Sequence, residues 1–482
     1  MNALTFPPPS VDWNMILPVV TVIATGVVVL IWQLFVPRRE NTVVVLLSLA
    51  GLAAAGYFSL RLWDVEGATF AGALLSDRLA VVANLILIAT TFLTLLFSEG
   101  YLRERRANFG EYYPMVLWAT AGAMLMVATT DLIVLFLGLE TLSISLYVLA
   151  GLTRADRRSE EAAIKYFLLG AFASAFLLYG IALIYGATGT SQIGDVPRAW
   201  GMGEDSIRAL LVAGVSLLLV GLGFKAALVP FHMWTPDVYQ GAPTSVTAYM
   251  AAVAKTAAFV TLIRVLWAAV PLAEVWVPVL TILAVLTMTV GNLLALAQTD
   301  VKRMLAYSSI AHAGYMVVGL LADDIPAVVY YLIAYSLMTI GSFAVVGLCA
   351  KSGQEGTSYS DMRGLWRRAP FPAAMMLIFL VSLAGIPPTA GFFGKLLLFR
   401  AALNANLVAL AIVLAVNALV SVYYYLKLTI AMYVDDEREA RERPTVTLGL
   451  VLATLACAVG ILYVGVSTGH VQRLLTLHAI GG

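Results

Sequence analysis

The chain has 482 residues, 61% of them hydrophobic and 12% charged, and its 29 basic and 28 acidic side chains leave a net charge of +1. A soluble protein of this length carries about twice that charged fraction, so the composition argues against a globular enzyme and for a polytopic membrane protein. Two cysteines, Cys349 and Cys457, lie in apolar segments outside any CxxC, which implies neither a disulfide framework nor a metal or iron–sulfur site.

The first residues, MNALTFPPPSVDW, lack the basic region of a signal peptide and read as a polar lead into a first span. Apolar runs of about twenty residues, the length that crosses a bilayer core, then recur at 14–36, 42–61, 78–98, 113–129, 131–152, 161–186, 207–229, 243–269, 274–297, 302–320, 326–350, 371–401, 404–433 and 445–466. The chain therefore reads as an all-α polytopic membrane protein of about 14 transmembrane helices. Gly385-Ile386-Pro387-Pro388 splits the overlong twelfth run into a discontinuous helix, and the seventh run, broken at Pro230, is its counterpart. No Gly-rich phosphate loop or nucleotide-binding pattern is present, so redox or nucleotide chemistry belongs to partner chains and no nucleic acid is expected.

Basic residues set the orientation. Arg103, Arg105, Arg154, Arg157, Arg158, Lys302, Arg303, Arg363, Arg367 and Arg368, with Arg38, Arg39, Arg106, Lys351, Arg438, Arg441 and Arg443, fall in one set of alternate loops. The other set holds little beyond Arg61, Arg78, Arg198 and Arg208, so the first set is cytoplasmic and both termini lie on the opposite side. A faint internal echo pairs Thr130-Asp131 with Thr299-Asp300, YVLAGL from Tyr147 with YMVVGL from Tyr315, and Lys225 with Lys395, at separations of 168 to 170 residues. Five spans fit in one separation, and an odd number gives two copies of opposite topology.

Four charges stand where they are expensive. Glu140 is near the centre of its span, as is Lys255, while Lys225 and Lys395 sit beside the two helix breaks. A charge at such a depth costs about 2.5 to 3.5 kcal/mol on insertion scales and calls for an interior partner. The plain alternative for each one alone is a structural ion pair between helices or a snorkelling side chain. Together, three lysines and one glutamate cannot all be neutralised by pairing, which points to sites that gain and lose protons. Desolvation disfavours an ammonium and a nearby carboxylate restores it, so moving Glu140 relative to Lys225 would load or unload the lysine. The breaks at Pro230 and at Pro387 and Pro388 free backbone groups that can hold water. His312 suits a relay between Lys255 and Lys395, or is a histidine satisfied by its helix neighbours; His232 suits an access channel or loop packing.

Other features read as structural. Arg264 snorkels near its span end, Tyr112, Tyr113 and Trp366 are interfacial anchors, and DDEREARER from Asp435 is a solvated loop. Lys302 and Arg303 are positive-inside markers, with Lys302 alternatively feeding a channel, and His470 and His478 carry no function.

GFKAALVPFHMWTPDVYQGAPTSVTAYMAAVAKTAAF, QTDVKRMLAYSSIAHAGYMVVGL and LAGIPPTAGFFGKLLLF resemble the central motifs of the antiporter-like membrane subunits of respiratory complex I, over roughly residues 75 to 435. Within that family, DVYQGAP, DMRGL and the lysines of the eighth and twelfth spans are similar to the subunit N branch of the bacterial NADH:quinone oxidoreductases. The resemblance implies fourteen helices with two inverted five-helix repeats: residues 1–112 for helices 1–3, 113–269 for the first repeat, 270–433 for the second, and 434–482 for helix 14 and a tail. It implies proton translocation through Glu140, Lys225, Lys255 and Lys395, with His312 in a shared motif. It also implies no cofactor in this chain, with NADH, FMN, iron–sulfur clusters and quinone in partner subunits, other antiporter-like membrane-arm subunits alongside, and a bacterial inner-membrane location. A multisubunit cation/proton antiporter, a ferredoxin-dependent relative and a passive scaffold are the alternative readings.

Overall fold

The computed structural model of the protein describes residues 11–35, 41–105, 107–154, 156–349, 356–434 and 444–475. Arg38, Arg39, Arg106, Lys351, Arg438, Arg441, Arg443, the rest of the DDEREARER run and His478 lie outside the described residues.

The chain opens with α1 (Trp13–Gln33), α2 (Thr42–Arg61), a hairpin of β1 (Gly67–Thr69) and β2 (Leu74–Ser76), and α3 (Arg78–Glu104). Next come α4 (Tyr112–Val127), α5 (Leu132–Ala150), α6 (Arg157–Thr188), the short α7 (Val196–Met202) and α8 (Asp205–Ala226). After a break follow α9 (Trp234–Gly241), α10 (Thr244–Tyr249) and α11 (Lys255–Ala268), the last two joined into one span by a π-helical turn at Met250–Ala254. α12 (Ala273–Leu296), α13 (Val301–Leu321) and α14 (Ile325–Leu348) precede the short α15 (Tyr359–Met362) and α16 (Leu365–Arg368). A second break separates α17 (Pro370–Ala384) from α18 (Ala390–Asn404), and α19 (Val408–Tyr433), α20 (Leu448–Val466) and α21 (Thr468–Leu474) complete the fold. Among the described residues twelve helices are long and apolar enough to cross a membrane, and α4 and α17 are shorter apolar helices.

Several helix starts are capped by aspartate side chains. Asp77, Asp131, Asp300 and Asp324 stand close ahead of an apolar run, and they and Asp156 each accept a hydrogen bond from a first-turn backbone N–H. Close packing then fixes the neighbours. A Cβ on Gly122 of α4 would lie 2.7 Å from the Gly138 carbonyl of α5, and one on Gly180 of α6 would lie 2.7 Å from the Gly214 carbonyl of α8. Such backbone proximity is how helices gain van der Waals contact in lipid, where burial of apolar area drives little association. The most apolar window of the α10–α11 span is wholly buried and that of α13 is 94% buried, against 33% for those of α1, α2 and α6, so α10–α11 and α13 form the centre.

Three expectations fail here. Tyr112 and Tyr113 are fully buried rather than interfacial, and the Tyr112 hydroxyl meets Ser98 Oγ at 2.8 Å. Arg264 does not snorkel: its guanidinium grips Asp77 at the N-terminus of α3 with two 2.8 Å hydrogen bonds, and Nε donates to the Val127 carbonyl. Lys302 is no surface marker, because it is wholly buried and donates to the Ala242 carbonyl at 2.5 Å. For Arg264 and Lys302 the partner is distant in sequence, and burial becomes tolerable only once that partner arrives.

Candidate functional site

The first break lies closer to Lys225 than the sequence suggests. α8 stops at Ala226 because Ala227 takes a left-handed conformation, φ 61°, and Leu228 N–H folds back to the Gly223 carbonyl at 2.8 Å. Pro230 therefore follows the helix end rather than causing it. The Phe224 carbonyl accepts from Trp234 Nε1 at 3.0 Å as well as from Ala227 N–H at 3.1 Å, and Val229 N–H donates to Thr287 Oγ1 of α12 at 2.9 Å. Lys225, the penultimate residue of α8, donates to Ser143 Oγ of α5 at 2.7 Å and to the Tyr166 hydroxyl of α6 at 3.4 Å. Glu140, half-buried one turn before Ser143, accepts from Ser174 Oγ of α6 and forms no ion pair with Lys225. A cavity of about 10 Å³ lies beside Lys225, lined by Ser143, Tyr147, Ser174 and Lys225 among others, close to the smallest space that holds one water.

The second break is built differently. α17 ends at Ala384 with Gly385 at φ 84°, a left-handed conformation that glycine adopts freely, and Pro387 and Pro388 separate it from α18. Lys395 sits in the helix after the break, whereas Lys225 sits in the helix before its own. From there it reaches back, and Nζ donates to the Leu383 and Ala384 carbonyls at 2.8 and 3.1 Å. An ammonium on the last carbonyls of α17 meets both orphan acceptors and the negative end of the helix dipole.

Between the breaks lies a buried polar core. The π-helical turn of five residues ends where Lys255 begins α11, and Lys255 Nζ donates to the Ser309 carbonyl of α13 while lying 5.6 Å over the Tyr335 ring. Ser309 Oγ accepts from the Tyr335 hydroxyl at 2.8 Å. His312, one turn further along α13, contacts the Tyr331 hydroxyl through Nδ1 at 2.7 Å and the Tyr425 hydroxyl through Nε2 at 3.1 Å. Tyr425 in turn meets Ser308 at 2.5 Å, and Lys395 lies 5.4 Å over Tyr315, whose ring packs on His312. Lys255, His312 and Lys395 thus share one hydroxyl-rich core. Glu140 and Lys225 form a second group, separated from the first by Tyr166 stacked on Trp234 at 4.5 Å and by Trp234 against Tyr239 at 6.0 Å.

His232 is not drawn into either group; it is half-buried on the turn after α8, with Nδ1 buried and without a hydrogen-bond partner. The residues that sequence reasoning missed are the hydroxyls, Ser143, Ser174, Tyr166, Tyr331, Tyr335 and Tyr425, together with Asp237. Tyr331 and Tyr335, four apart and so on one face of their span, were the available signal. Asp237 of α9 joins Lys165 of α6 at 2.7 Å and Arg303 of α13 at 2.6 Å, tying the broken seventh span to helices on both sides of it. Among the described residues no group of three or more His, Cys, Asp or Glu is placed to hold a metal ion.

Comparison with known proteins places this arrangement. The family model described as NADH:quinone oxidoreductase/Mrp antiporter, TM, matches residues 129–421. The chain is 43% identical over 461 residues to NADH-quinone oxidoreductase subunit N of Trichlorobacter lovleyi, covering 95% of each chain. It superposes with a TM-score of 0.82 on a chain of respiratory complex I from Thermus thermophilus, at 38% identity, covering 95% of this chain and 99% of that one. A chain of the Mrp complex from a Dietzia species shares the fold, with a TM-score of 0.81 over 96% of this chain, at 22% identity. A match of that extent and identity, carried by helices that hold the buried lysines, means that the chain belongs to the NADH-quinone oxidoreductase subunit N family.

Proposed function

We propose that the chain translocates protons in the membrane arm of an NADH:quinone oxidoreductase, driven by quinone reduction in partner subunits. One observation carries the reading: none of Lys225, Lys255 and Lys395 has a carboxylate within ion-pair distance among the described residues, and each is held by a hydroxyl or a backbone carbonyl. A structural ion pair fixes a proton; neutral acceptors leave it free to leave when a nearby charge moves. Glu140 is that charge for Lys225. A proton on Lys225 passes to Lys255, then through the hydroxyls around Ser309 and His312 to Lys395, where the second break opens the way out.

The finer architecture belongs to the same proposal. α4 and the α17–α18 pair also cross, giving fourteen helices, with residues 113–269 and 270–433 as inverted repeats, residues 1–112 and 434–482 flanking them, and both termini on the non-cytoplasmic side of a bacterial inner membrane. Matched helix starts support the repeats. Asp131 and Asp300 both cap a span while accepting a 2.5 Å hydroxyl contact, from Ser191 and Thr357, and both bridge to the next residue, Gln192 and Ser358. NADH, FMN, iron–sulfur clusters and quinone are assigned to partner subunits. The antiporter reading gains nothing from the Dietzia likeness, which is one of fold alone.

The test is redox-driven pumping in proteoliposomes containing the assembled complex. Glu140→Gln or Lys225→Gln should assemble yet lose proton pumping; full pumping by the assembled variants sinks the reading.

A further inference from the structure

Glu140 and Ser143 lie three residues apart on α5, so the carboxylate and the hydroxyl that accepts from Lys225 share one helix face. Lys225 and Ser143 line the water-sized cavity, and the carboxylate stands one turn away from Ser143 on the same face of α5. What holds it elsewhere is Ser174 of α6, whose hydroxyl donates to Glu140 Oε1 and also lines that cavity. We infer that Ser174 is a positioning residue that holds Glu140 off Lys225, so that the carboxylate has two seats, one on Ser174 and one across the cavity toward the lysine. The inference rests on the reading that Glu140 and Lys225 lie on the proton path.

The packing makes the first seat sensitive to helix position. Ala173 and Leu177, on either side of Ser174, abut Gly221 of α8, where a Cβ would lie 2.6 Å from Leu177 Cβ and 3.2 Å from the Ala173 carbonyl. α6 therefore has no slack toward α8. A shift of α6 relative to α5 moves Ser174 against Glu140, which converts a movement between helices into a change of charge beside the lysine. A hydrogen bond to a charged group is among the stronger ones, so removing it tips the two seats by about tenfold or more.

The experiment uses the assembled complex in proteoliposomes, with quinone reduction and protons pumped per quinone measured side by side for S174A, S174T, E140Q and E140Q/S174A. Ser174→Ala should keep assembly and quinone reduction while lowering the pumping ratio. Ser174→Thr, which retains the hydroxyl, should restore the ratio, and the double variant should be no worse than E140Q. Normal pumping by S174A, pumping by S174T as poor as that of S174A, or a double variant worse than E140Q overturns the inference. If S174A fails to assemble, S174T and the double variant decide. Normal pumping by E140Q would instead overturn the wider proton-path reading, so the two failures are distinguishable.

Discussion

Replacing Arg264 by alanine tests whether the arginine is a buried clamp or a side chain reaching for the membrane surface. Its side chain and that of Asp77 are each only 5% exposed, and the fork-on-fork contact is bidentate at 2.8 Å. Removing one partner of such a pair leaves a buried charge uncompensated and costs about 3–5 kcal/mol. Losing the hydrogen bond to the Val127 carbonyl adds about 1 kcal/mol. Asp77 keeps one donor, the Ala80 N–H at 2.7 Å, which is too little to solvate a carboxylate. Asp77→Ala carries the same penalty from the arginine side and also loses the cap of α3, about 1 kcal/mol. The double variant strands neither charge, so it should cost at least about 2 kcal/mol less than the sum of the singles. Thermal melts of the purified complex, with assembly scored on native gels, measure all three. An Arg264→Ala complex as stable as the wild type, or strictly additive singles, would refute the clamp and restore the snorkelling reading.

Lys395 separates capping from proton transfer. Lys395→Arg keeps a cation on the Leu383 and Ala384 carbonyls but does not release its proton, so the complex should assemble and pump poorly; normal pumping would reduce Lys395 to a helix cap. Gly391→Ala should destabilise the second break by about 1–3 kcal/mol, because the added Cβ would stand 1.9 Å from the Ser382 backbone carbonyl, and a melt unchanged from wild type would show that the break can relax.

Much of the architecture was readable before any coordinates. Apolar run length marked the twelve helices that are long and apolar enough to cross a membrane among the described residues, and Asp131 and Asp300 stood at the opening of two of them, because both signals are local. The lysines were legible for a related reason: a charge in hydrocarbon is conspicuous whatever the fold. What lay beyond reach was what each charge touches. Arg264 needed Asp77, and Lys302 needed the Ala242 carbonyl, and neither contact leaves a trace in local pattern. The sequence echo also paired Lys225 with Lys395, yet relative to the left-handed residues Ala227 and Gly385 the two stand on opposite sides of their breaks.

By itself, then, the sequence determined that this is a many-helix membrane protein with costly interior charges and two interrupted spans, since hydrophobic length, proline and charge act through the nearest residues. Only the tertiary structure decided that Lys225 rests on Ser143 rather than Glu140, that Lys255 rests on a backbone carbonyl of α13, and that tyrosines from α14 and α19 surround His312. Hydroxyls are cheap to place in a membrane helix and common in it, so their role is set by which helix faces them, and that is fixed by packing.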